Sequence, residues 1–208
     1  VAIGQDGLVA NVAKYLSAQP VIGVNPGGYP GILVRHAPAA VAGLLGPVAD
    51  RTAPLEHRTR VCAVTDDGQR LLALNEIFVG HRTHQSARYT VRVGARSERQ
   101  SSSGLIVASG TGATGWARSI ALARRSRLAL PAPVEPAVVF FVREPWPSPS
   151  TGTALVQERV EPGGSVVVTS EMHDGGVCFG DGIESDTIAL PFARRVTLER
   201  AETGLWLA

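Results

Sequence analysis

Three short stretches of this chain hold residue types able to do chemistry. The first is Gly4-Gln5-Asp6-Gly7, set between the apolar triplet Val1-Ala2-Ile3 and a run whose apolar positions Leu8, Val12, Ala13 and Leu16 fall at helical spacing. Glycine lets the backbone turn tightly and come close to a ligand. The first N–H groups of a helix have no internal partner and point outward with a favourable dipole, which seats phosphate. Asp6 stands beside that seat, and a carboxylate of reference pKa near ~3.9 is ionised at neutral pH, able to accept a hydroxyl proton or hold a metal ion. The plainer reading of an Asp before a helix is an N-cap.

The second stretch is Ser109-Gly110-Thr111-Gly112-Ala113-Thr114-Gly115, three glycines and three hydroxyls in seven residues between an apolar strand and an amphipathic helix. Such a loop can surround a ligand with backbone and hydroxyl donors; with no Lys following, it is not a Walker A loop. The third is Asn75-Glu76, inside the apolar run Leu71–Val79. Burying such groups without partners costs roughly 2–7 kcal/mol each. The pair therefore faces either a polar ligand at a sheet edge or solvent where the strand surfaces.

The elements that position these residues change character near Ala53-Pro54. Before it, strand and helix alternate: Val1–Ile3, the helix Leu8–Leu16, Val21–Val24, and a small helix from Ala39 to Leu45 bracketed by Pro38 and Gly46-Pro47. That order argues for an α/β layer with a parallel sheet over residues 1–54. Beyond it, Arg60–Thr65 and Arg70–Val79 form a hairpin about Asp66-Asp67-Gly68, and Ser86–Gly94 alternates as a half-buried antiparallel strand. Further strands are predicted at Gly104–Ser109, Ala137–Arg143, Thr153–Val160, Ser165–Ser170, Gly176–Phe179, Thr187–Leu190 and Arg195–Arg200, with one helix, Trp116–Arg125, whose inner side is Trp116, Ile120 and Ala123. This spacing is that of a β-sandwich over residues 55–208. Val1 opens the chain inside a strand pattern, without a Met, which implies that sequence upstream is missing.

Composition excludes other classes. The 208 residues carry 20 basic and 18 acidic side chains, and Lys14 is the only lysine. The arginines are scattered and aromatics are 5% of the chain, which argues against nucleic acid as a partner. No apolar run approaches the ~18 residues of a membrane span, and no signal peptide is visible. Cys62 and Cys178 belong to no CxxC pair, and His81 with His84 reads as a solvated turn rather than a metal site.

Gly4-Gln5-Asp6-Gly7, Val21-Ile22-Gly23-Val24-Asn25, Leu74-Asn75-Glu76 and the Ser109–Gly115 loop, in this order, resemble the NAD kinase family. Further stretches are closest to its mitochondrial-type branch and bacterial relatives: Ala73–Gly80, Ser102-Ser103-Gly104-Leu105, Gly110-Thr111-Gly112 ahead of Trp116, Arg143-Glu144-Pro145 and Phe179-Gly180-Asp181-Gly182. The resemblance spans nearly the whole chain. It implies an NAD kinase-like α/β plus β fold, a partial N-terminal α/β domain followed by an antiparallel β-sandwich. It implies phosphoryl transfer from ATP (or another donor), with Mg²⁺, to the 2′-hydroxyl of the NAD adenosine ribose, giving NADP. Asp6 is then the base; Gly4, Gln5 and Gly7 approach the phosphates; Gly7, Asn75, Glu76, Thr111, Gly112, Thr114 and Trp116 bind NAD. A homodimer or higher oligomer is implied too, and the arginine bias points to a GC-rich bacterial coding sequence and hence the cytoplasm.

The chain departs from the family pattern at Gln5 (usually Gly), Leu8 (usually Thr) and Ser103 (Asp in the common bacterial branch), and lacks the family's strands before the first glycine turn. These departures keep open a kinase-fold protein that binds a dinucleotide without catalysis; a lipid kinase is a further alternative on the shared glycine-aspartate turn, with Asn75-Glu76 and the Ser109–Gly115 loop against it.

Overall fold

A computed structural model describes residues 1–28 and 30–208. Strand β1 (Ala2–Ile3) leads into helix α1 (Asp6–Ala13), and the chain returns through β2 (Pro20–Val21) and β3 (Gly23–Val24). β1 and β3 pair in parallel, Ala2 opposite Gly23. The predicted strand Val21–Val24 is thus two pieces about Ile22, because its halves face different neighbours: Pro20 and Val21 lie parallel to Trp206 and Leu207 near the end of the sequence. Residues of alternate parity point to opposite faces. Val21 packs with Val9, Ala10 and Ala13 of α1, and Ile22 and Val24 pack with Val48 of helix α2 (Val41–Ala49).

Helix α2 follows a 3₁₀ turn at Pro38–Ala40 and corrects the predicted span, which ended at Leu45. It runs on to Ala49 with Pro47 inside it. Proline there forgoes one backbone bond, but burying Val48 against Ile22 and Val24 carries the helix through.

Strand β4 (Glu56–Arg58) pairs with the last strand of the chain in a small three-stranded sheet that also holds β2, and the sandwich follows with β5 (Val61–Thr65), β6 (Arg70–Ala73), β7 (Glu76–His81), β8 (Ala87–Val93), β9 (Arg96–Ser102) and β10 (Leu105–Ala108). A 3₁₀ turn at Gly112–Thr114 and helix α3 (Trp116–Ala123) come next. Then follow β11 (Val138–Val142), β12 (Gln157–Val160), β13 (Ser165–Ser170), β14 (Gly176–Gly180), β15 (Thr187–Ala189), β16 (Arg195–Arg200) and β17 (Leu205–Leu207). One sheet has the order β6-β5-β16-β13-β8-β9, the other β12-β11-β10-β7-β14-β15. Side chains from both sheets, among them Val61, Tyr89, Val168, Ile77, Val107 and Phe140, form the core between them. β7, β10 and β11 are buried on both faces, since α3 and Leu128 cover Phe78, Ile106, Val139 and Phe141 on the outer side. That explains their unbroken apolar sequences. The other sheet has a wet outer face, so β8 alternates as predicted.

Three differences from the sequence reading matter. The predicted strand Arg70–Val79 breaks at Leu74-Asn75, with β6 in one sheet and β7 in the other. β9 was not anticipated, because an edge strand of sequence RSERQSS shows no apolar alternation; its inward Gln100 and Ser102 are buried and hydrogen-bonded, Ser102 Oγ to Tyr89 Oη at 2.7 Å and Gln100 Nε2 donating to the Leu155 carbonyl at 2.9 Å. On α3, Ala123 is exposed, and Ala117 and Ala121 are the residues buried beside the half-buried Trp116 and Ile120. Among the described residues no helix is long and apolar enough to cross a membrane.

Candidate functional site

The three chemistry-bearing stretches meet at one cleft of about 260 Å³. Asp6 lines it with Ile32 and Leu33; Asn75 and Glu76 line it from the sandwich; Thr111, Gly112, Thr114, Gly115 and Trp116 close it. Gly4, Gln5 and Gly7 are not among the lining residues. Gly4 donates its N–H to the Val24 carbonyl at 3.0 Å, Gln5 is the exposed N-cap residue of α1, and Gly7 faces open space at the head of that helix.

Asp6 is the first residue of α1 and does not cap it. Its carboxylate reaches instead to the segment after Gly31. Oδ2 accepts the N–H of Ile32 at 2.8 Å, and Oδ1 accepts those of Leu33 at 2.9 Å and Val34 at 3.1 Å. A carboxylate offers about four lone-pair directions, so three amides leave room for a further donor such as a substrate hydroxyl. A side chain at Gly31 would meet Asp6 Oδ1 at 2.6 Å, so glycine is required for this approach.

The strand break at Leu74-Asn75 is held from two sides. Asp181, at φ +55°, accepts the N–H of Asn75 at 2.7 Å and of Leu74 at 3.0 Å. Ser109 donates its hydroxyl to the Leu74 carbonyl at 2.5 Å and its N–H to the Asn75 carbonyl at 2.9 Å. Lys14, just past α1, donates to the Gly180 carbonyl at 2.9 Å, so the helix that starts with Asp6 is tied at its far end to the turn that holds Asn75. Fixed this way, the carboxyl of Glu76 and the side-chain amide of Asn75 make no side-chain hydrogen bond among the described residues. Burial, and then the neighbouring Asp181 charge, push Glu76 up to about 7. Burial raises Asp181 too, against the pull of its backbone donors.

The glycine-threonine loop is packed onto this break. The hydroxyl of Ser109 accepts the N–H of Thr111 at 3.0 Å and of Gly112 at 3.3 Å. A side chain at Gly112 would collide with the Asn75 carbonyl. Thr114 donates its hydroxyl to the Thr111 carbonyl at 2.8 Å. Thr111 is buried, yet its hydroxyl has no hydrogen-bond partner among the described residues. Trp116 stacks on Phe78 (15° between rings, centroids 6.3 Å apart), and the Arg143 guanidinium lies 5.1 Å from the indole centroid.

The cleft can therefore receive a polar ligand rich in hydroxyls. It offers a carboxylate at Asp6, an ionisable carboxyl and an amide at Glu76 and Asn75, and a buried hydroxyl without a partner at Thr111. Among the described residues no three His, Cys, Asp or Glu side chains converge as a metal site. Two elements of the site were not anticipated. Pro30-Gly31 ahead of the apolar Ile32-Leu33-Val34 was the available signal for the segment over Asp6. Asp181 stood in the sequence only as part of a family likeness, and nothing local marked it as the anchor of Asn75.

The arrangement is that of the NAD kinase fold. The chain superposes on yeast NADH kinase, solved with NADH, with a TM-score of 0.72 at 17% identity, over 98% of this chain and 59% of that one. It superposes on an NAD kinase from Archaeoglobus fulgidus, solved with ATP, with a TM-score of 0.74 at 22% identity, over 99% of this chain and 75% of that one. The chain thus spans less than two thirds of the yeast protein. No protein-family model and no curated protein matches the sequence.

Proposed function

We propose that this chain is an NAD kinase, of the mitochondrial-type branch or its bacterial relatives, transferring a phosphoryl group from ATP to the 2′-hydroxyl of the NAD adenosine ribose. The observation that carries this reading is the shared cleft. Asp6, Asn75, Glu76, Thr111 and Trp116 come from three separate parts of the sequence and line one cavity, in a fold whose solved relatives were crystallised with NADH and ATP.

Phosphoryl transfer asks the protein mainly for positioning and for a group that takes the nucleophile's proton. Asp6 serves as that acceptor, its carboxylate held still by the amides of Ile32, Leu33 and Val34 with one lone-pair direction free for the ribose hydroxyl. Asn75 and Glu76 hydrogen-bond ribose hydroxyls or the base, and the Thr111 hydroxyl donates to the same ligand. Trp116 supplies an apolar edge where other branches have Tyr. Gly4, Gln5 and Gly7, at the head of α1, face the phosphates of the donor. Mg²⁺ arrives as the ATP complex and is part of the substrate. A homodimer working in the cytoplasm completes the proposal.

The test is NADP formation by wild-type protein and by Asp6→Asn, with calorimetric NAD titration of both. Turnover is abolished in the variant and NAD affinity is kept; wild-type kcat in Asp6→Asn would overturn the assignment of the base. A second reading, a dinucleotide-binding protein without catalysis, draws on the three amides already bonded to Asp6 and on the exposed Leu8 beside Gly4. NAD binding with no NADP formed from any nucleoside triphosphate would favour it.

A further inference from the structure

The amides that hold Asp6 are themselves held, by a chain of charges outside the cleft. Arg35 donates Nε to the Ile32 carbonyl at 2.9 Å and grips Glu56 with both terminal nitrogens, Nη1 to Oε1 at 2.6 Å and Nη2 to Oε2 at 3.2 Å. Glu56 Oε2 also meets Arg58 Nη2 at 2.7 Å. The Arg58 side chain is only 2% exposed, and its Nε and Nη1 have no hydrogen-bond partner among the described residues. Glu56 is thus the one carboxylate paired with Arg58 among the described residues, and a buried arginine without its partner is costly. The same peptide segment that gives its Ile32 carbonyl to Arg35 gives its Ile32 N–H to Asp6, at 2.8 Å. The negative charge of Asp6 also acts on Arg58.

We propose that Arg35, Glu56 and Arg58 form a positioning relay for Asp6. The buried Arg58 fixes Glu56, Glu56 fixes the planar fork of Arg35, and Arg35 fixes the Ile32 carbonyl. The N–H groups of residues 32–34 then stay aimed at the Asp6 carboxylate. None of the three relay residues lines the cleft, so the relay acts on the acceptor's orientation and not on NAD contact. Its catalytic meaning rests on the reading of Asp6 as the base.

The test uses Arg35→Ala, because the Arg35 side chain is 37% exposed and its removal leaves the Glu56–Arg58 pair in place. Amide hydrogen exchange of Ile32, Leu33 and Val34 is measured beside steady-state kinetics. The expected result is faster exchange at these three amides, with the sandwich amides unchanged, and a fall in kcat of about 10- to 100-fold at unchanged KM for NAD, the penalty of a misplaced catalytic group. Arg35→Lys keeps the charge but not the fork, and fails to restore exchange protection. Unchanged exchange in Arg35→Ala overturns the relay, as does faster exchange with wild-type kcat. Should the wild-type protein form no NADP, the kinase reading fails separately, and the exchange comparison still decides whether the relay holds the segment over Asp6.

Discussion

Asp181 and Glu76 share a backbone hydrogen bond: the N–H of Asp181 donates to the Glu76 carbonyl at 3.0 Å, while the Asp181 carboxylate secures the two residues before Glu76. The contact that sets the position of Glu76 also brings a second carboxylate close to it. Burial leads and the Asp181 charge follows in raising Glu76 to about 7. Two carboxyl groups near one another are a device for placing an ionisable group in the neutral range.

The first prediction concerns pH. Glu76 moves from an ordinary value of 4.5 up to about 7 on folding. Between these pH values the folded protein keeps a proton that the unfolded chain has released, so stability falls as pH rises through this window. Glu76→Gln removes that loss: the variant matches wild type at pH 4 and is more stable at pH 8, by about 3 kcal/mol at most. Denaturant unfolding at the two pH values checks this, and equal differences at both would refute it. On the proposed reading of the site, wild-type NAD affinity shows an inflection near pH 7 that the variant lacks.

Asp181→Asn tests the anchor. An amide keeps one acceptor oxygen where the carboxylate used two, so one of the N–H groups of Leu74 and Asn75 loses its partner at a cost of about 1–3 kcal/mol. The Glu76 carboxyl, freed of a like charge, titrates lower. Thermal melts report the first effect; the pH profile of NAD binding, its inflection moved to lower pH, reports the second.

Thr111→Val separates ligand binding from folding. The substitution conserves shape and removes a buried hydroxyl that has no partner among the described residues, so the variant is as stable as wild type or more so, by about 1 kcal/mol. NAD binds more weakly, because the donor it would meet is gone. A variant that loses stability and keeps NAD affinity would show the hydroxyl to be structural.

Gly112→Ala probes the packing of the loop on the strand break. The added methyl would collide with the Asn75 carbonyl, a backbone atom with little freedom to move. Stability drops by about 1–3 kcal/mol, and NAD affinity falls with it because Asn75 and Thr111 are pushed apart. Gly7→Ala, whose methyl would enter open space, is the control that leaves stability within about 1 kcal/mol.

Much of the sandwich was legible because burial on one face imposes a period of two, as in β8, and burial on both faces imposes unbroken apolar runs, as in β10 and β11. β9 escaped because its inward Gln100 and Ser102 are polar and take distant partners, Ser102 the Tyr89 hydroxyl on β8 and Gln100 Nε2 the Leu155 carbonyl, which local sequence does not announce. The same limit applied to Asn75. An apolar run reads as one strand even where its halves join different sheets, and what breaks it is the carboxylate of Asp181, more than a hundred residues away along the chain.

By itself the sequence determined which residues could do chemistry, Asp6, Asn75, Glu76 and Thr111 among them, and the order of strands and helices carrying them. Residue type and periodicity are local properties, and the chain states them directly. Only the tertiary structure decided that these residues share a cleft, that Asp6 faces three amides of the segment after Gly31 rather than capping its own helix, and that Glu76 titrates near neutrality. Each of those depends on groups far apart in sequence being brought within hydrogen-bond or Coulomb range. Those distances exist only once the two sheets have closed on their core and α1 has been tied to both ends of the site.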